Sequence, residues 1–373
     1  MNSTLFRTAV GLALVAAALA CSDDVVAPTE IESARAPGRA RIRNISQIVV
    51  LGRNLYIGTD VDVTIGALAN GDPSDDLPAL LAAIATLQAT DYPARARALA
   101  QEIAKTRPHF VGLQEVSNVD IQLPPLGISI SLDFLAILQD ELQSLGLEYE
   151  VAAQVANSSV LLAPIPGSTI QVIDSDAILV DSRRVTVDPP SVVAQSFSTN
   201  IGPVAPGINI IRGWVAITAE VDGLSIAVAS THLESGNSDP ILAQIRGAQA
   251  FELVSSLGAA TPAIIIGDMN DVQGSLMYQV IAGAGFQDAW LGSMSHKDGS
   301  TCCFLPDLSN HNAHGALSQR IDYIFSRGAV EDAGPLSDVT LLGEGNGDRI
   351  RGPVGRIWPS DHAGVLATIP FPR

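Results

Sequence analysis

Two hydrophobic patterns take turns along the chain: short runs in which almost every position is apolar, and longer segments with apolar residues every three or four positions. The first pattern reads as strands buried on both faces, the second as helices packed by one face. Residues 45–51, 110–113, 177–181, 213–221, 225–230, 263–266, 322–325 and 363–369 are predicted strands. Asp222-Gly223 joins two of them as a hairpin, because both residue types tolerate positive φ. Residues 77–87, 94–105, 131–145 and 240–257 are predicted helices. The second stops before Pro108, and the third carries Leu132, Leu135, Leu138 and Leu142 at helical spacing. Alternation of the two element types predicts an α/β domain. Residues 288–319 and 343–360 have no periodicity and read as long loops, which in a compact domain are often functional. The apolar stretches 121–132 and 160–165 read as core strands or a hairpin rather than membrane-touching loops.

The polar residues that end the buried runs carry more information. Residues 110–113 run into Gln114-Glu115, 227–230 into Thr231-His232, and 264–266 into Gly267-Asp268-Met269-Asn270. The first strand runs into Asn54, and Asp361-His362 precedes the last. Side chains at the ends of core strands are held rigidly and gather at one sheet edge. A single such carboxylate reads as surface; the repetition reads as one site.

Composition narrows the chemistry. The chain has 373 residues, 47% hydrophobic and 16% charged, enough for a substantial core. Lys+Arg number 21 against Asp+Glu 39, a formal net charge of -18. Duplex DNA binders gain affinity by neutralising phosphates, so this balance disfavours DNA and leaves lipid headgroups or small phosphate esters in play. Arg7 followed by an apolar run over residues 9–20, too short to span a bilayer, predicts a signal peptide over residues 1–20. Residues 18–21 are similar to a lipoprotein cleavage box, with Ala18 where Leu is usual, so Cys21 is the expected acylation site; simple secretion is the alternative. Acylation would attach the protein to a membrane surface. Residues 22–40 read as a flexible tether and 41–373 as the folded domain, expected to be exported and monomeric. Cys302 and Cys303 are adjacent and read as a vicinal disulfide or as two small loop residues, neither a disulfide scaffold nor a cysteine metal site.

With Asn54 in GRNLYIG, Glu115 in FVGLQEV, His232 in STHLES, Asp268 and Asn270 in IIIGDMND, Asp322 in QRIDYIF and Asp361-His362 in PSDHAG, the chain resembles the endonuclease/exonuclease/phosphatase superfamily. The resemblance implies a four-layer α/β sandwich of two face-to-face β-sheets flanked by helices. It also implies a metal-dependent phosphoesterase, with Glu115 as a metal ligand and Asn54 beside it. Mg²⁺ suits such oxygen donors, with Mn²⁺ or Ca²⁺ as substitutes. An imidazole titrates near neutrality, so His362 is the expected general base, and Asp322 matches the family residue that orients it. Asp268 is expected to orient the attacking water, and Asn270 and His232 to stabilise charge on the phosphoryl group. Asp361 is expected to bind a second metal, tune His362 or cap a loop. The substrate is a phospholipid headgroup, a nucleic acid or a small phosphate ester. Tyr56 stands where nuclease members often carry an acid.

Weaker candidates stand beside these. Arg320 and the trio Arg349, Arg351 and Arg356 could reach a phosphate or lie on the surface. His311 and His314 have metal-like spacing but read as solvated, as does His296. His109 reads as structural, and Asp60 and Asp62 as turn residues. Two competing classes remain: a catalytically inactive, surface-anchored binding module, and a Zn²⁺ hydrolase using His311, His314 and a third ligand.

Overall fold

In the computed structural model, residues 45–236, 239–293, 298–330 and 338–373 are described. The predicted signal peptide, Cys21, the tether and His296 lie outside them. The larger sheet runs β16 (Asp338–Leu342), β19 (Gly364–Pro372), β1 (Ile45–Asn54), β2 (Phe110–Gln114), β6 (Thr169–Asp181), β5 (Tyr149–Leu162), β10 (Ile208–Ile210) and β9 (Gly202–Ala205). A hairpin of β3 (Asn118–Leu123) and β4 (Ile128–Asp133) joins it through β6. The second sheet runs β14 (Gln287–Asp288), β15 (Asp322–Arg327), β13 (Ala263–Asp268), β12 (Leu224–His232), β11 (Gly213–Val221) and β7 (Thr186–Val187). In it β8 (Val193–Ser196) also pairs with β11. A small hairpin, β17 (Ile350–Gly352) with β18 (Gly355–Ile357), stands apart.

Alternation along the central strands builds the layers. Ile264 and Ile266 of β13 meet Ile48, Val50, Phe110 and Val228 in the core between the sheets. The intervening Ala263 and Ile265 pack outward with residues of α5 (Pro240–Leu257) and α6 (Leu276–Gly283). On the other sheet, Leu51, Val111 and Leu113 pack outward under α2 (Pro73–Ala89), α3 (Tyr92–Thr106) and α4 (Phe134–Ser144). Both faces of β13 are therefore buried, which is why its sequence is an unbroken apolar run. The expected four layers are present. The first helix, α1 (Val61–Ala69), covers the sandwich at one end and has no buried residue.

Glycine permits close approach both between the two sheets and between neighbouring strands of one sheet. A Cβ on Gly112 would lie 2.6 Å from Ile266 Cγ2 of the opposite sheet, and one on Gly267 2.4 Å from the Thr231 carbonyl. Both glycines sit beside residues that end in the site.

Two sequence expectations change. Residues 131–133 belong to β4, and α4 begins at Phe134. Residues 128–133 (ISISLD) alternate with period two, and Asp133 caps the helix by accepting from Ala136 N at 3.0 Å. The predicted loop 343–360 contains the β17–β18 hairpin. Among the described residues no helix is long and apolar enough to cross a membrane.

Candidate active site

Each sheet holds a parallel pair of strands, and both pairs end at one cleft. β1 and β2 end side by side at Asn54 and Gln114; β12 and β13 end side by side at His232 and Asp268. Antiparallel β15 starts at Asp322, in register with Asp268. The cleft is about 720 Å³ and is lined by Glu115, His232, Asp268, Asn270, Asp361 and His362 among others.

Asp268 is the hub. Its Oδ2 accepts from Asn54 Nδ2 at 3.1 Å and lies 3.7 Å from both His232 Nε2 and His362 Nδ1. Its Oδ1 accepts from Asn270 N at 2.9 Å. The same Asn54 nitrogen donates to Glu115 Oε1 at 2.9 Å, while Glu115 Oε2 accepts from Ile57 N at 2.9 Å. Glu115 and His362 are thereby linked through three contacts that share atoms. Asn54 turns its nitrogen, not its oxygen, towards Glu115; its oxygen accepts from Tyr56 N at 2.8 Å.

His362 Nδ1 lies 2.8 Å from Asp322 Oδ2, which leaves Nε2 to face the cleft. Nε2 is 4.0 Å from Asp361 Oδ1 and 3.9 Å from Cys303 Sγ. Cys302 and Cys303 are joined as a vicinal disulfide. Asn270 Nδ2 is 2.8 Å from His232 Nε2 and donates to Leu233 O at 3.0 Å. Three non-glycine residues at the site, Tyr56, Glu115 and Asn270, have φ of 58°, 54° and 48°. Asn accepts this region readily, but for Tyr and Glu it costs on the order of 1–3 kcal/mol each, a strain typical of functional sites.

Burial and charge set the protonation states. Burial opposes charge on His362, but Asp322, Asp361 and Asp268 outweigh it and hold the imidazole pKa well above its ordinary value. Burial, then the charges of Arg212 and His362, push His232 well below its ordinary value, so it is neutral. Burial and Asp322 raise Asp268 to about 7. Burial is also the main cause that raises Asp361 to about 7, with Glu115 adding to it.

The lining suits a divalent cation. Asp60, Asp62, Glu115, Asp174, Glu234, Asp268 and Asp361 face the cleft against one guanidinium, Arg212. That field opposes the entry of a phosphate, and a cation beside it would offset the opposition. Each Glu115 oxygen has one protein donor, which leaves lone pairs for a hard metal ion. Asp268, Asp322 and His362 also present ligand atoms within 4.8 Å of one another.

Of the other candidates, the arginines and histidines fall away from the cleft. Arg320 pairs with Asp288 Oδ2 at 2.8 Å. Arg349 donates to the carbonyls of His311, Ser309 and Arg356. His311 and His314 are exposed, and among the described residues they belong to no three-residue metal-ligand group. Buried His109 accepts from Val49 N at 3.0 Å, a structural role. Asp60 caps α1 by accepting from Val63 N, yet both it and Asp62 line the cleft.

Three arginines escaped the sequence reading. Arg212, whose Nη1 is 3.2 Å from His232 Nδ1, precedes a core strand, the one signal that could have pointed to it. Arg95 is fully buried and donates to the carbonyls of Thr90, Leu55, Tyr56 and Pro359 at 2.9, 2.6, 2.8 and 3.2 Å. It ties the segment after Asn54 to the segment before Asp361. Arg53 donates to the His362 carbonyl and pairs with Glu102.

A sandwich of two mixed sheets with metal-suited acids and an Asp-held histidine at its strand ends defines a metallophosphoesterase-like class. The profile of the Endonuclease/Exonuclease/phosphatase family matches residues 70–362, and the chain belongs to that family. The family includes metal-dependent phosphoesterases and nucleases. No curated protein matches the chain. Among solved structures, it is similar to a family protein from Bacteroides thetaiotaomicron at 17% identity and TM-score 0.51, covering 88% of this chain and 96% of that one. A Beutenbergia cavernae protein gives 19% and 0.51, covering 87% and 72%. One from Leptotrichia buccalis gives 17% and 0.50, covering 86% and 99%. At these identities the likeness concerns the fold alone.

Proposed function

We propose that the protein is an exported, divalent-metal-dependent phosphoesterase that cleaves a phosphodiester or phosphomonoester by direct attack of water. The observation that supports this best is Asp268 Oδ2, which one strand end places against Asn54, His232 and His362 together. Asp322 holds His362 Nδ1; a bound cation would offset Asp361 and Asp268, which with Asp322 keep the imidazole charged, and in its neutral form Nε2 faces a water in the cleft and takes its proton. Asp268 accepts from that water's other hydrogen and fixes its direction. Neutral His232 and, once its amide turns away from His232 Nε2, Asn270 would donate to a non-bridging phosphoryl oxygen without adding charge. Mg²⁺, or Mn²⁺ or Ca²⁺, held by Glu115 and Asp361, would polarise the phosphoryl group and stabilise the leaving oxygen. Asn54 and Ile57 N fix Glu115 for that task. Export and acylation of Cys21 belong to the same proposal and rest on the N-terminal sequence.

The test is a panel of bis-p-nitrophenyl phosphate, sphingomyelin, inositol phosphates and single- and double-stranded DNA, each with and without EDTA. Hydrolysis lost in EDTA and restored by Mg²⁺ is expected. Turnover of none of them, or turnover indifferent to EDTA, sinks the reading in favour of an inactive binding module or another chemistry.

A further inference from the structure

Ile57, Thr59, Val61, Ile65, Val160 and Val172 line the catalytic cleft and also a second, smaller cavity. This cavity is about 100 Å³. Its walls come from α1, α2, β3, β5, β6 and Ile208, and apart from Thr59 and Thr64 they are apolar. Walls of this kind offer water too few polar partners and suit a small apolar group instead.

Helix α1 supplies a second observation. Its sequence, VDVTIGALA, is apolar but for Asp62, Thr64 and Gly66, yet none of its residues is buried. Val61, Ile65 and Leu68, at helical spacing, all line the cavity. A helix whose apolar face meets a void forgoes the burial that normally holds such a helix in place. The cavity also adjoins the chemistry: Ile57 lines both spaces, and its N–H donates to Glu115 Oε2 at 2.9 Å. A packing defect elsewhere in the core would not share six wall residues with the cleft.

We propose that this cavity is an alkyl subsite and that the substrate is a phosphate ester bearing an apolar chain, which lies against Val61, Ile65 and Leu68 while its phosphate sits in the cleft. The substrate class rests on the phosphoesterase reading; the apolar binding does not.

The test uses the full chain with Mg²⁺ and p-nitrophenyl alkyl phosphodiesters from methyl to hexyl. kcat/KM should rise about fourfold per methylene, the factor that ~0.8 kcal/mol per buried CH₂ gives, and level off once the cavity is full. Calorimetric binding of methyl- to hexylphosphonate should follow the same trend without any turnover. Ala83→Leu, which fills the cavity from α2, should bring the hexyl-to-methyl ratio close to one in both series. Thr64→Leu fills it from α1 should the first variant not fold. Methyl ester turnover with no chain-length dependence in either series overturns the subsite and spares the phosphoesterase reading. Chain-dependent phosphonate binding with no ester cleaved does the reverse. A monomeric short-chain phospholipid and long-chain phospholipid vesicles, compared in the same assay, tell a soluble ester from a membrane lipid as the source of the chain.

Discussion

The two ends of the cleft are built on opposite terms. At the end holding His362, nearly every polar group has a partner: Asp322 on the imidazole, Ser360 Oγ on the His362 N–H, and Arg53 on its carbonyl. Arg95 adds four bonds that tie the flanking segments together. At the other end, α1 has no buried residue and lies over an apolar cavity. Proton transfer requires groups placed to within a fraction of an ångström, and buried guanidinium donors supply that rigidity. Accommodating an apolar chain requires only shape and surface, so looseness there costs little until substrate arrives.

The strongest way to break this contrast is to remove the base. His362→Ala and Asp268→Asn should each lower kcat by about 10²–10⁴-fold while the circular dichroism spectrum is kept. Wild-type turnover of a generic phosphodiester by either variant would show that the rigid end is not the chemical one. Next in size, Glu115→Ala should raise the Mg²⁺ concentration for half-maximal activity by about tenfold or more, read from a metal titration.

Arg95→Met sharpens the contrast by keeping the volume and removing the donors. It leaves buried carbonyls without partners, and urea unfolding should show a loss on the order of 2–5 kcal/mol. kcat should fall with it, because Leu55, Tyr56 and Pro359 hold Asn54 and Asp361 in place. An unchanged kcat would show that the anchoring serves stability alone.

The smallest effect is one of pH. Asp268 and Asp361 are raised from 3.8 to about 7, so the metal-free fold holds protons that the unfolded chain releases. Stability should therefore fall as pH rises from about 4 to 7. His362, raised above 6.5, adds stability below that pH and loses it as pH climbs through its higher value. Thermal scans of the metal-free protein should show Tm dropping by a few degrees across this range, with Mg²⁺ restoring more of it at pH 7 than at pH 4. A metal-free Tm that climbs from pH 4 to 7 would contradict these protonation states. Asp174, raised to about 7 mainly by burial, acts in the same direction, whereas His109 and His232, both lowered mainly by burial, act in the opposite one; the cavity walls take no part, since none of them is ionisable.

How far the site was legible depends on the kind of residue. Glu115, His232, Asp268 and Asp322 were visible because each interrupts or borders a strand that is apolar for burial reasons, and a polar residue there needs a purpose. Arg95 was invisible because Arg within a helical segment reads as solvent-facing, and only the loops packed over α3 reveal its four acceptors. The β4–α4 junction was misplaced because Leu132 fits a helical and an alternating pattern equally well. The cap at Asp133, a local contact, decided the boundary.

The sequence by itself determined the strand ends, the order of the polar residues along the chain and the acidic balance, since these follow from local periodicity and composition. Tertiary structure alone decided that Asn54 turns its nitrogen to Glu115, that two helix and strand arginines brace the base, and that a cavity under α1 shares wall residues with the cleft. Such facts depend on distances between segments far apart in the chain, which are fixed only when the two sheets close on each other.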